Sequence, residues 1–412
     1  MISAQNHQPL LSGNKWLLYL WITLVAAACS PKLQPVQAPV KPAEKPVVKV
    51  PEPPVKAVSK VATIALLLPF ELDYLKTGYS TSALKQANIA VDYYQGFKMA
   101  LDSLTAQGYN YRLLVYDTRD LPSQSHSLAY NPDIRASDLI VGPVFPEGLK
   151  AFTSVLTSAR KPILSPLAAS APSTFKNQNL VTAIPPLEYH AWAAADYVTN
   201  DIKAKKVFIL KSGYTVDNEY ITPFKKGIDS LSKKRVKTIA YTVVRGNLSP
   251  LIPQLSLTEQ NVFVVPSTNQ AFLMVTLRTL DSLSKKYPVT VFAHPSWAGL
   301  SFLKTELLQN LKTHITSADN IDYKADATLE FTSNYRKTFK AEASEYSIKG
   351  FDEGMYFGNL LGKDNDGLKN LGQNKFTGLH NSFRFVKKPG LGWINTHVNV
   401  LKYSNFALKQ VK

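Results

Sequence analysis

Short runs of continuous apolar residues alternate along this chain with segments whose apolar residues recur at helical spacing, and few folds accommodate that alternation. Residues 61–68 are almost wholly apolar, the pattern of a strand buried on both faces of a parallel sheet, and Pro69 stops the run. Ile89, Tyr93, Phe97, Ala100, Leu101 and Leu104 then share one helical stripe that Gly108 ends, and residues 111–116 return as a strand, closing a right-handed βαβ unit. The rhythm repeats with strands expected at 206–210, 236–244, 262–265 and 289–293 and helices at 219–231 and 270–283. Two such series, broken by the proline pair at 185–186, predict an α/β protein of two lobes, each a parallel sheet flanked by helices.

The stretch DLIVGPVFPEGLKAFTSVLTSARKPILSPLAASAP, residues 138–172, places the cleft. It reads as a strand at 139–141, a turn at Gly142 and Pro143, a helix over 149–156, and a second strand at 162–164 that ends in Ser165 and Pro166. Ligands of open α/β sheets sit beyond the carboxyl ends of parallel strands, so both turns face one crevice. The polar and aromatic residues at expected strand ends are therefore the candidate contacts: Phe145, Glu147, Ser165, Ala168 and Ser170 in the first lobe, and Tyr220, Ser267, Ser296 and Trp297 in the second; His294, also at a strand end and able to reach the cleft, reads as a turn residue. Small hydroxyls and free amides can fix a carboxylate while aromatic rings enclose an apolar portion.

VGPVFPEGLKAF followed by KPILSPLAASAP resembles the type I periplasmic solute-binding proteins, in the branch that takes branched-chain amino acids. IALLLPF, VYDT and VGP also resemble the outer-membrane lipoproteins of the same fold that activate penicillin-binding proteins. EYSIKGFDEGMYFGNLL is similar to the family's Gly-Phe-Asp helix, and FTGLHNSFRFVKKPGLGWINTHVNVLKY to its closing strands. The resemblance implies discontinuous lobes with three crossings between them: 61–184 plus 297–385 in the first, 185–296 plus 386–412 in the second. It implies that Ser170 holds a ligand's carboxylate and that Tyr220 closes from the opposite lobe. Where the family has a serine after VGP this chain has Phe145 and Pro146, and where it has an acid after FAHP this chain has Ser296 and Trp297. An α-ammonium would then lack a charged partner, so free leucine or valine is expected to bind poorly.

Residues 16–28 are an apolar run after Lys15 that ends in Ala26, Ala27 and Ala28, too short for a span of ~20 residues, and they read as a secretory signal over 1–28. Cys29, the single cysteine, follows the small residues as in the bacterial lipobox, which implies acylation, palmitate included, at a new amino terminus; no intramolecular disulfide or thiol metal cluster is open to it. Residues 29–60 are rich in proline and read as an extended tether. Lys15, together with six lysines against Glu44 and Glu52 in that tether, accounts for part of the formal +17 and leaves +12 after residue 60. With an export leader, the anionic partners within reach are lipid headgroups and cell-wall polymers and not nucleic acid.

Catalysis has no constellation to rest on: there is no GxSxG elbow, no HExxH and no phosphate-cradling glycine turn, so neither an enzyme nor a cofactor is expected. KDNDG at 363–367 lacks the remaining ligands of a calcium loop and reads as a surface turn. Two functions stay open. One is a lipid-anchored envelope protein, expected at the outer membrane, that captures an amino-acid- or peptide-like solute between hinged lobes for an ABC transporter. The other is a ligand-free interaction module acting on an envelope enzyme of peptidoglycan synthesis.

Overall fold

The computed structural model describes residues 61–75, 77–156, 161–363 and 367–412. The leader, Cys29 and the tether expected over 1–60 lie outside the described residues, as does most of the turn at 363–367.

The first lobe opens with β1 (Ala62–Leu68), α1 (Thr81–Ala106), β2 (Tyr111–Asp117), α2 (Pro122–Leu128), α3 (Pro132–Ala136), β3 (Leu139–Val141), α4 (Pro146–Val155), β4 (Ile163–Ser165) and β5 (Leu180–Thr182). The second holds α5 (Leu187–Asp196), β6 (Lys206–Lys211), α6 (Asn218–Leu231), β7 (Lys237–Thr242), β8 (Asn261–Val265), α7 (Gln270–Ser284), β9 (Val289–Ala293), α8 (Thr305–Asn310) and β10 (His314–Ser317). The chain then returns through α9 (Asp326–Phe339), α10 (Glu345–Lys363), the small pair β11 (Phe376–Thr377) and β12 (Ser382–Phe383), and the hairpin β13 (Phe385–Lys388) and β14 (Gly392–Asn395). It finishes on β15 (Asn399–Ser404) and β16 (Ala407–Gln410).

Two seven-stranded sheets result, ordered β13-β14-β5-β4-β3-β1-β2 and β16-β15-β10-β9-β8-β6-β7. Both are parallel except at one edge, where β13 runs against β14 and β15 and β16 form an antiparallel margin on β10. The lobe boundaries expected at 296/297 and 385/386 are corrected by this pairing. β10 belongs to the second sheet and β14 to the first, so the later crossings fall in 318–325 and 396–398. A four-residue strand such as HITS carries too few apolar residues to announce itself, and a parallel partner 200 residues away is invisible to local periodicity.

β1 shows why its run is continuous. Ile64, Leu66 and Leu68 point to the side covered by α1 and α10, while Ala65 and Leu67 point to the side covered by Leu149 and Phe152 of α4. Successive side chains of a strand face opposite ways, so a sheet covered twice needs apolar residues throughout. Its carboxyl end is held by Asp117 of VYDT, which accepts from the backbone N–H of Phe70 (2.9 Å), Leu72 (2.9 Å) and Arg119 (2.9 Å).

α1 and α10 lie against each other with backbones nearly touching. Gly350, Gly354, Gly358 and Gly362 recur every fourth residue along α10. A β-carbon on Gly350 would collide with the Tyr93 carbonyl, and one on Gly96 of α1 with the Ser347 carbonyl. At the crossings, fully buried Asn395 donates to the Ala183 carbonyl (2.9 Å) and accepts from the N–H of Arg384 (3.0 Å) and His397 (3.1 Å), joining the first and third connections. The Asn320 N–H donates to the His380 carbonyl (2.7 Å), binding the middle connection to the first lobe. Among the described residues, no helix is long and apolar enough to cross a membrane.

Candidate functional site

A cavity of about 620 Å³ opens at the carboxyl ends of β4, β6, β8, β9 and β10, within the range that holds small ligands. The second lobe supplies most of its wall through the turns after its parallel strands: Val216 and Asp217 follow β6, Pro266 and Thr268 follow β8, and His294, Pro295 and Ser296 follow β9. Thr316 and Ser317 of β10 and the following Ala318 and Asp319 complete it on one side, and Ile184, Pro185, Leu187 and His190 of the first crossing on another. Among the described residues, Ala169 is the one contribution from the turns after β3 and β4.

The residues anticipated for the cleft divide. Ser296 lines it, and its N–H donates to His294 Nδ1 (3.1 Å), which leaves the neutral ring's proton on Nε2. Ser165, Ala168 and Ser170 flank Ala169 without lining the cavity; Ser165 is buried and its hydroxyl meets no partner among the described residues. Phe145 packs on the first lobe's core, and Glu147 is exposed in the first turn of α4.

Tyr220 and Trp297 are corrected from ligand contacts to core residues. Each is 1% exposed. Trp297 sits in the core beside β8 and β9, its Nε1 donating to the Ser267 carbonyl (2.9 Å), while the Ser267 hydroxyl accepts from the Asn269 N–H (3.2 Å). Tyr220 stacks on Phe224 with ring centroids 6.2 Å apart, and burial pushes its phenol up from the ordinary tyrosine value. An aromatic residue at a strand end looks the same in sequence whether it turns outward or in.

The acids and histidines of the wall were not anticipated as a set. Asp217, one residue before α6, is 2% exposed; its Oδ2 accepts from the Ser212 N–H and hydroxyl, both at 2.7 Å. Asp319 takes the Lys349 ammonium at 2.8 Å, and Lys349 also reaches Glu345 at 3.5 Å. Burial alone would lower the Lys349 pKa, but Asp319 and Glu345 outweigh it and hold the group above lysine's ordinary value. Behind this pair, Asp352 of the Gly-Phe-Asp segment accepts from the N–H of Leu379 (2.9 Å) and His380 (2.8 Å) and meets His380 Nδ1 at 2.5 Å. Deeper still, Tyr93 donates to Glu353 at 2.7 Å, and burial pushes that carboxyl well above the usual range. Among the described residues, no group of three or more His, Cys, Asp or Glu stands where it could hold a metal ion.

Burial lowers His190 and His294 to about 4, so both are neutral at pH 7. His190 Nδ1 lies 3.1 Å from the Thr316 hydroxyl. His314, outside the cavity, is likewise lowered to about 4 by burial. The unfolded value is near 6.5, so the unfolded chain takes up these protons first as the pH falls; the stability they contribute is complete above about pH 6.5 and is lost toward pH 4. Imidazole NMR at pH 5 should therefore find all three rings neutral in the folded protein, and protonated rings at that pH would refute the assignment.

A family model described as periplasmic binding protein matches residues 80–371. Among curated proteins no sequence matches the chain. Solved structures of similar fold include an ABC transporter substrate-binding protein of Desulfitobacterium hafniense in complex with Leu, 16% identical with a TM-score of 0.55, covering 85% of this chain and 100% of that one. A putative branched-chain amino acid ABC transporter protein of Rhodospirillum rubrum is 14% identical with a TM-score of 0.62, over 85% of this chain and 100% of that one. Full-length LpoA of Haemophilus influenzae is 13% identical with a TM-score of 0.56, over 86% of this chain but 59% of that one. The family match spans well over half the residues, and the paired sheets with a cavity at their strand ends are the architecture it requires: the chain belongs to the periplasmic binding protein family.

Proposed function

We propose that this is a solute-binding protein of the cell envelope, acylated at Cys29 and held on the proline-rich tether, which captures a small molecule between its lobes for an ABC transporter. The observation that carries the reading is the cavity of about 620 Å³, placed where this fold takes ligands and walled by hydroxyls, carboxylates and neutral histidines. Closure of the lobes around the crossings is the mechanism; no bond is made or broken. The outer membrane remains the expected anchor.

Among the described residues, the turns after β3 and β4 contribute Ala169 alone, which favours a second reading, an interaction module that keeps the fold and engages an envelope protein. Native mass spectrometry of the full chain, exported and purified from membranes without refolding, separates the two. A retained small mass that dialysis removes is expected. A bare protein that instead crosslinks to an envelope partner, with the cavity wall replaceable without effect on that link, would favour the module.

A further inference from the structure

We propose that the cleft selects an organic cation, a ligand whose ammonium or guanidinium group is received by Asp217 and Asp319. This rests on the solute-capture reading and narrows it to a class of ligand.

The charge of the wall runs against that of the protein. The chain carries 47 Lys and Arg against 30 Asp and Glu, yet among the described residues the cavity is lined by Asp217, Glu219 and Asp319 and by no lysine or arginine. Lys349, which pairs with Asp319 of the wall, is committed to Asp319 and Glu345. An anionic ligand would face these carboxylates with no cation in the wall to meet it.

Unmet hydrogen-bonding capacity points the same way. Asp217 is 2% exposed, and both of its donors among the described residues, the Ser212 N–H and hydroxyl, fall on Oδ2. Its Oδ1 is buried with no hydrogen-bond partner among the described residues, although the residue lines the cavity. A buried carboxylate oxygen without a donor is a standing penalty, and a charged N–H donor relieves it more fully than a neutral one. Asp319, at the second crossing, is a third exposed but has a similar imbalance: Oδ2 holds Lys349, while Oδ1 is buried with no hydrogen-bond partner among the described residues, 3.9 Å from His380 Nε2. The two acids stand on different parts of the wall, one after β6 and one at the crossing after β10, so a ligand with cationic character can address the second lobe and the crossing together.

The hydroxyls of Thr268, Ser296, Thr316 and Ser317 offer acceptors to the remaining N–H groups, and the neutral histidines add no positive charge to oppose the ligand. The chain thus does supply carboxylates for an ammonium, though not at the position after FAHP where the family resemblance sought one. What the wall lacks is the Ser170 hydroxyl for an α-carboxylate, so a zwitterionic amino acid meets only half a site.

Calorimetry on the full chain in detergent, with putrescine and agmatine set against leucine, glutamate and inorganic phosphate, tests the assignment. At least one of the two cations should bind, more tightly than leucine, glutamate or phosphate, with an affinity that falls as salt rises. Asp217→Asn and Asp319→Asn should each weaken it roughly tenfold or more, the loss of one charge-assisted hydrogen bond. Melting curves of both variants identify any that fail to fold, and the folded one is the one read. Preference for leucine, glutamate or phosphate overturns the cation assignment and leaves solute capture standing. Cation binding unchanged in both variants overturns the role of these carboxylates. Failure of every compound to bind, with no small mass retained by the native protein, removes the assignment and the capture reading together.

Discussion

Gly350→Leu is expected to lower stability by about 3 kcal/mol or more, beyond the usual cost of overpacking a core because the obstacle is backbone. A side chain that meets another side chain can be accommodated by a change of rotamer. At Gly350 the first added carbon already collides with the Tyr93 carbonyl and lies 3.1 Å from the Phe97 nitrogen, so α1 and α10 must separate. That separation withdraws contacts from Tyr93, Phe97, Leu101 and Leu104, which form the core beneath β1. In a unit of this size, where unfolding entropy is about 2.1 cal/mol/K per residue, the melting temperature should fall by roughly 4 °C or more. Gly299→Ala is the control, since a β-carbon there meets nothing within 4 Å and should leave the melting temperature nearly unchanged. A well-folded Gly350→Leu protein melting with the parent would show that the helices are not packed backbone to backbone.

Asp352→Ala should destabilise the domain by about 3–5 kcal/mol, the range for removing one member of a buried charged network. The carboxylate is 1% exposed and serves two backbone donors and the His380 ring, so truncation strands the buried His380 N–H and ring and removes the partner of the half-buried Leu379 N–H. Asp352→Asn keeps one acceptor and should cost less. Urea denaturation distinguishes the cases: a midpoint for Asp352→Ala equal to that of the parent would mean that the Leu379–His380 loop is not held by this side chain.

The parallel core of each lobe was legible because a strand covered on both faces is apolar at nearly every position, and residues 61–68, 206–210, 262–265 and 289–293 have that character, broken only by Thr63, Lys206 and Thr290. β10 escaped because His314–Ser317 has one aliphatic residue, and its membership of the second sheet depends on partners in β9 and β15. The site was harder for a related reason. Trp297 and Ser296 are neighbours in sequence at the same strand end, and their opposite fates follow from Ser267, thirty residues earlier, whose carbonyl draws the indole inward. Asp217 did carry a signal, an acid in the turn between an expected strand and an expected helix. Asp319 carried none, since the strand that presents it was itself unread.

Asn395 gives the two lobes something a set of independent linkers would lack. Three separate connections can bend in different places, and a molecule built on them could slide, twist and open in several unrelated ways. With one buried amide tied to the Ala183 carbonyl and the His397 N–H, the first and third connections share a pivot. The middle connection is pinned through Asn320 and Asp319 to the same first lobe. Relative motion is thereby reduced toward rotation about a single line. If the lobes close as proposed, a wall with Asp217 on the second lobe and Asp319 on the middle connection would be tightened by one coordinate, the angle between the lobes, much as the grip of pliers is set by one pin.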